Sequence, residues 1–326
     1  MSAVSVNSAG ITNRGNVRED NQDQFVIAEL SLSLMVKASG LPVASGTRLA
    51  GNSFATVLLV ADGMGGHLGG KEASKLAIEY FLSSILNKLA WAESITSNNE
   101  ESFKKVLGLS LIEAHRELQL LAETSPDLKD MGTTLTLAFV AWPHLHIVHA
   151  GDTRCYLSRN QELRLLTRDH TVAQQMMLNG ELNPDEQERS PWSNVLVNAL
   201  GAGAPEVFPD FYHLKLESGD RLMLCSDGLN KHVPDHRIAQ ELGGRASPES
   251  TAQMLVQLAL DGGGSDNVTV LVADFQDSIE PETMRTFSEI PTEQKLISEI
   301  VLAAGDSDTT EAITGQVGSD DLTLDE

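Results

Sequence analysis

Acidic residues recur in this chain where an apolar run breaks into a turn: Arg18-Glu19-Asp20-Asn21-Gln22-Asp23, Asp62-Gly63-Met64-Gly65-Gly66, Gly151-Asp152, Asp227-Gly228 and Asp266-Asn267. Acids so far apart in sequence act together only if the fold gathers them. Gathered carboxylates repel one another and need a countercharge to stay ionised, and a hard divalent cation with oxygen ligands is the usual source. Asp62 closes the run Val57-Leu58-Leu59-Val60-Ala61, and the small residues after it would let backbone carbonyls approach a cation that a bulkier loop excludes. Asp227 repeats the arrangement after Leu222-Met223-Leu224-Cys225-Ser226, and Asp266 mirrors it ahead of Asn267-Val268-Thr269-Val270. One Asp-Gly pair alone is only a turn signal. The whole set, with Arg18 beside it, points to metal-dependent hydrolysis.

The elements that must position these acids fall into blocks. Val4–Ser8, Gln24–Glu29 and Ala55–Ala61 read as strands from their β-branched and apolar content. Leu30–Ser53 is a Gly/Ser-containing insertion, longer than an ordinary hairpin loop, and is either an extended hairpin or a flap. Lys71–Leu89 and Ser102–Glu123 carry apolar residues at helical spacing. Thr133–Ala141, His146–Ala150, Arg154–Ser158 and Leu163–Leu166 follow as short strands, with a turn at Arg159-Asn160-Gln161, and strands resume at Phe211–Leu216 and Arg221–Ser226. Ser247 caps a helix with Pro248 at its first position, and Asn267–Ala273 is the last strand. Strands in batches with helices between them indicate an α+β fold, antiparallel sheets layered with helices.

Composition bounds the partners. The 326 residues suffice for one large core plus appendages, and the formal net charge of -23 argues against nucleic acid or an anionic membrane surface. No long apolar run and no basic-then-apolar N-terminus is present, so the expected location is cytoplasmic. Cys155 and Cys225 sit in apolar runs and read as small buried hydrophobes. Beyond residue 275 acids far outnumber Arg285 and Lys295, so 276–326 reads as an acidic, largely disordered tail. A short amphipathic helix starting at Thr292 is the one ordered piece expected there.

The order of motifs resembles the metal-dependent protein serine/threonine phosphatases, the PPM or type 2C family, in their bacterial form. The resemblance rests on Arg18…Asn21-Gln22-Asp23, Asp62-Gly63-Met64-Gly65-Gly66-His67, Met131-Gly132-Thr133-Thr134-Leu135 and His149-Ala150-Gly151-Asp152-Thr153-Arg154. It continues through Thr167-Arg168-Asp169-His170, Asn198-Ala199-Leu200-Gly201, Leu224-Cys225-Ser226-Asp227-Gly228-Leu229 and Gly264-Ser265-Asp266-Asn267-Val268-Thr269. It implies a four-layer α-β-β-α sandwich of two antiparallel sheets flanked by helices. The phosphatase domain would span 1–275, with a variable flap over 171–207.

What the resemblance implies for the site is specific. Asp62 would bridge two Mn²⁺ or Mg²⁺ ions, the Gly63 carbonyl would complete one of them, and Asp227 and Asp266 would hold the second. Asp23 would act through water on a metal, and Asp152 would join Asp227 at a third metal position. The substrates would be phosphoserine and phosphothreonine in proteins, the targets of a Ser/Thr kinase, attacked by a metal-activated water. Arg18 would clamp phosphate oxygens with its forked donors. Eukaryotic members often have a histidine where this chain has Met64, which carries no proton, so leaving-group protonation would fall to a metal-bound water or to His67. Many relatives have arginine where Asn198 stands, so substrate contacts near it would differ. The alternative is a catalytically weak regulatory module recruiting a partner through the acidic tail, and the retained Asp62, Asp227 and Asp266 speak against it.

Other residues invite weaker readings. His144, His146 and His149 could suggest zinc, but the strand that carries them matches the phosphatase pattern, and without a cysteine or carboxylate partner the zinc reading is the weaker one. His170 is expected to fix the loop at Arg168-Asp169, and Thr133 and Thr134 to shape the site. The run Asp185-Glu186-Gln187-Glu188 would favour substrates with basic flanks.

Overall fold

In a computed structural model of the chain the residues described are 4–38, 47–65, 68–88, 100–187, 190–201, 203 and 205–277. They lie within the compact unit Met1–Ser278. The tail beyond residue 277, with its expected helix, and His67 are outside the described residues.

The order of elements is β1 (Val4–Asn13), β2 (Asp23–Met35), β3 (Arg48–Met64), α1 (Gly69–Lys88), α2 (Glu100–Thr124), β4 (Gly132–Thr133), β5 (Leu135–Ala141), β6 (His144–Ala150), β7 (Arg154–Arg159), β8 (Glu162–Leu165), α3 (Val172–Leu178), α4 (Pro184–Gln187), β9 (Leu200–Gly201), β10 (Asp210–Lys215), β11 (Arg221–Cys225), α5 (Asp227–Asn230), α6 (Asp235–Leu242), α7 (Pro248–Asp261) and β12 (Val268–Asp277). Two antiparallel sheets form. One runs β1-β12-β11-β7-β8, the other β10-β6-β5-β3 with β2 on β3 and the short β4 and β9 at its end.

Strand period explains the layering. In β3, Leu58 and Val60 face the second sheet and pack with Cys155, Leu222, Leu224, Leu271 and Phe275. Val57, Leu59 and Ala61 point the other way and pack under α1 and α2 against Phe81, Leu107 and Leu111. The outer face of the other sheet, with Tyr156, Met223, Cys225 and Val270, is covered by α6 and α7 through Ile238, Leu242, Ala252 and Leu255. The result is helices, sheet, sheet, helices. β3 is buried on both faces, which is why it reads as a continuous apolar run rather than an alternating one. Each fully buried leucine there contributes about 1.5–3 kcal/mol.

Several boundaries differ from the sequence expectation. β2 and β3 continue past residue 30 as a paired ribbon, Met35 opposite Arg48, so the inserted segment is a hairpin arm through the described residues. The strand expected over Thr133–Ala141 is broken at Thr134. Helix α6 has only Ile238 and Leu242 buried to mark its face, too few to betray a period. Cys155 and Cys225 are buried and free, in cores on opposite faces of one sheet.

Candidate metal centre

The strand ends deliver the acids to one end of the sandwich. Asp62, near the end of β3, stands in register with Asp23 at the start of β2. From the other sheet come Asp227, two residues after the end of β11, and Asp266, two residues before β12, while Asp152 lies in the β6–β7 corner. Arg18, Asp62, Gly63, Asp152, Asp227 and Asp266 all line one cavity of about 520 Å³, together with Met64, Thr134, Lys231 and the flap residues Asn194 and Leu196. Asp23 is fully buried behind this wall.

Hydrogen bonds fix each part. The Asp62 N–H donates to Thr134 Oγ1 (2.9 Å), and its carbonyl accepts from the Thr134 N–H and Thr133 Oγ1, each 2.9 Å. The break at Thr134 is therefore the clamp that aims Asp62. A Cβ on Gly63 would stand 2.1 Å from the Gly70 carbonyl oxygen, so only glycine lets the start of α1 close on this turn. Asn267 accepts from the Gln22 N–H (2.8 Å) and donates to the Arg14 and Asp20 carbonyls (2.8 and 2.9 Å), pinning the Arg18 loop beside Asp266. Asp23 Oδ2 accepts from Ser226 Oγ and Thr269 Oγ1, each 2.7 Å, which ties β2 to the opposite sheet.

Arg18 grips Asp266 with two donors, Nε to Oδ1 at 2.8 Å and Nη2 to Oδ2 at 2.9 Å, while remaining 53% exposed. Lys231 Nζ lies 2.5 Å from Asp227 Oδ2 and 2.9 Å from Asp266 Oδ2. Sequence reading did not single out Lys231, although its i,i+4 spacing from Asp227 across a helical turn was a signal.

The electrostatics follow from burial and crowding. Burial lifts the Asp23 carboxyl to about 6 against its two hydroxyl donors. Burial and then the neighbouring Asp23, Asp227 and Asp152 hold Asp62 well above the usual carboxylate range. Asp152 is raised by burial and by Asp227. Burial also raises Asp227, opposed by Lys231. Only Asp266 is lowered: burial works against its charge, but Lys231 and Arg18 outweigh it.

This donor set fits a hard divalent cation. The ligands offered are oxygens, and Asp23 Oδ1 and Asp227 Oδ1 are buried without a hydrogen-bond partner. Among the described residues no three His, Cys, Asp or Glu side chains are drawn together closely enough to grip an ion as they stand. The cations Arg18 and Lys231 occupy Asp266 instead.

The other singled-out residues take these places. His170 anchors the end of the Arg168-Asp169 loop: its backbone N–H donates to the Gly151 carbonyl (2.7 Å), its Nδ1 accepts from the Gly151 N–H (3.1 Å) and its Nε2 lies 3.2 Å from Asp210 Oδ2, so it also joins the Asp152 corner to β10. Asn198 is buried and closes the flap base through the Phe208 N–H (3.0 Å) and carbonyl (2.6 Å), away from the cavity. His149 is a core residue bonded to Thr136 Oγ1 and the Arg168 carbonyl. His144 and His146 instead stack with His213, whose Nδ1 is 2.8 Å from Glu100, a carboxylate remote in sequence. In the acidic flap run, the Asp185 side chain and Glu188 are outside the described residues.

A family model described as Protein phosphatase 2C matches residues 46–262. The chain is similar to the serine/threonine phosphatase stp of Listeria monocytogenes, 36% identical over 219 residues that make up 67% of this chain and 84% of that one. It is also similar to the serine/threonine protein phosphatase PstP of Mycobacterium tuberculosis, 38% identical over 223 residues, 68% of this chain and 41% of that one. A solved structure of the PstP catalytic domain in complex with two manganese ions superposes with a TM-score of 0.64 and 31% identity, covering 84% of this chain and 100% of that one. Stp1 of Staphylococcus aureus gives a TM-score of 0.68 at 26% identity, covering 83% and 95%.

Proposed function

The chain belongs to the protein phosphatase 2C family, and we propose a division of its reaction among the residues around the cavity. It is a metal-dependent protein serine/threonine phosphatase, a phosphoric monoester hydrolase with Mn²⁺ or Mg²⁺ as cofactor. Asp62, the Gly63 carbonyl, Asp227 and Asp266 would hold the two ions, with Asp62 common to both, and Asp152 with Asp227 would offer a third position. When bound, the ions supply a nucleophilic water at neutral pH and neutralise phosphoryl charge.

The chain's own residues do the rest. Arg18, held side-on by Asp266 and half exposed at the cavity, presents its remaining N–H groups to a phosphoryl oxygen. Asp23, anchored through Oδ2, keeps Oδ1 for a hydrogen bond from water behind the ligands. Thr133 and Thr134 hold the Asp62 backbone so that its carboxylate need not reorganise. Met64 on the cavity wall has no proton to give, so the leaving alkoxide would take its proton from water or from His67.

The observation that carries this reading is the meeting in one cavity of acids delivered by both sheets, with buried oxygens left for a ligand. The substrates we assign are phosphoproteins modified by a Ser/Thr kinase, in the cytoplasm. No helix among the described residues is long and apolar enough to cross a membrane. The catalytic unit we place within 1–275 and assign 276–326 to a partner; deleting 276–326 is then expected to leave peptide turnover unchanged and to lose the partner.

Phosphate release from a phosphothreonine peptide tests the core of the proposal. Turnover with Mn²⁺ is expected, abolished by EDTA and by Asp227→Asn. A folded protein inactive with every divalent metal would assign the fold a binding role instead.

A further inference from the structure

We propose that Lys231 is an internal competitor for the divalent cation at Asp227 and Asp266, holding that pair in the metal-free protein and leaving it when an ion binds. The inference rests on the two-ion reading above.

The lysine is placed, not draped. Ser226 precedes the single turn α5, and the Lys231 N–H bonds back to the Asp227 carbonyl at 3.0 Å, which sets the side chain over the Asp227 carboxylate one turn below. The turn itself cannot slide, because Gly228 lies so close to β12 that a Cβ would be 1.9 Å from the Asn267 carbonyl oxygen. The ammonium reaches both carboxylates and is 23% exposed.

Lys231 also completes the saturation of Asp266. Oδ1 takes Arg18 Nε and the Asn267 N–H, and Oδ2 takes Arg18 Nη2 and Lys231 Nζ. A metal ion approaching Asp266 therefore meets a carboxylate whose lone pairs are spent on cationic and amide donors. Of these donors Lys231 alone is also bonded to Asp227, so its departure frees a lone pair on both acids at once. An ammonium brings one charge and three donors, whereas a divalent ion brings two charges and a full oxygen shell, so exchange runs toward the ion when its concentration suffices. The two ions accordingly differ in affinity: the one shared by Asp227 and Asp266 is the weaker and more readily exchanged.

Two measurements on the full chain decide the matter. In Mn²⁺ titrations by calorimetry, Lys231→Met is expected to tighten the weaker ion by about tenfold or more, the scale of one close charge pair, with the tighter ion little changed. In the wild type, amine acetylation read by mass spectrometry is expected to label Lys231 faster with Mg²⁺ than with EDTA, relative to the exposed Lys71 as internal reference. This second arm stands even if Lys231→Met folds poorly. Two ions bound equally by wild type and Lys231→Met, with labelling indifferent to Mg²⁺, would overturn the competitor role and leave the two-ion reading intact. No Mn²⁺ bound by either protein would overturn both.

Discussion

In the proposed reaction Arg18 serves two masters, the carboxylate of Asp266 behind it and a phosphoryl oxygen ahead of it, a task that suits a planar fork. Lysine at this position keeps the charge but replaces two parallel bonds to Asp266 with a point contact. Arg18→Lys is expected to lower kcat/KM on a phosphopeptide by about tenfold or more, and an unchanged value would remove the clamp from the mechanism. Thr134 acts one step away. Thr134→Val removes the acceptor of the Asp62 N–H, a cost of about 1–3 kcal/mol in urea unfolding, while Thr134→Ser keeps the hydroxyl and most of the stability. The acids themselves were legible in the sequence because each interrupts an apolar run. The bonds that aim them were less so: the Thr134 clamp on Asp62 and the Asn267 pin join positions 72 and 245 residues apart, which no local pattern encodes, and the Lys231 bridge left only its i,i+4 spacing from Asp227.

At the scale of elements, the strand ends carry the chemistry and the turns after them set its tolerance. The turn α5 holds Asp227 and Lys231 against β12 through the close approach of Gly228 to Asn267. Gly228→Ala must push α5 away from β12, and overpacking of this kind costs about 1–3 kcal/mol. Because the displaced turn carries Asp227, weaker Mn²⁺ binding is expected alongside the lower urea midpoint; loss of stability with intact Mn²⁺ affinity would show that α5 can move without the acid. Strands such as β3 were readable from their apolar runs, and Ser247 caps α7 as its spacing implied, accepting from the Ser250 N–H at 3.2 Å. The short α6 escaped because two apolar positions do not make a period. The break between β4 and β5 escaped because Thr134 is as good a strand residue as its neighbours, and it is tertiary bonding to Asp62 that takes it out of line.

Across the whole molecule the acid cluster joins the two sheets, Asp62 and Asp23 from one and Asp227 and Asp266 from the other, so its charge acts on the sandwich itself. Asp23 has an ordinary carboxylate value of 3.8 when unfolded and about 6 when buried. The folded protein therefore binds the more protons in that window, and the contribution of Asp23 is fully present below 3.8 and lost as pH rises through about 6. Asp62, Asp152 and Asp227, also raised, act in the same direction, while Asp266 is lowered, so its contribution is present above the ordinary carboxylate value and is lost in more acidic solution. Histidines 146 and 149 oppose them, since burial holds their rings down to about 4 and they favour the folded state as pH rises. A raw pH profile thus mixes both groups, but two differences isolate the cluster. In EDTA, Asp23→Asn is expected to melt above the wild type at pH 7.5, with the gap closing toward pH 4, because the variant lacks the charge that burial penalises. In the wild type, the rise in Tm on adding Mn²⁺ is expected to be larger at pH 7.5 than at pH 5.5, because the ion binds carboxylates that protons otherwise occupy and stabilises only the state that gathers them. A rise in Tm equal at the two pH values would mean that the ion binds elsewhere than among these acids, since no histidine contribution survives the subtraction.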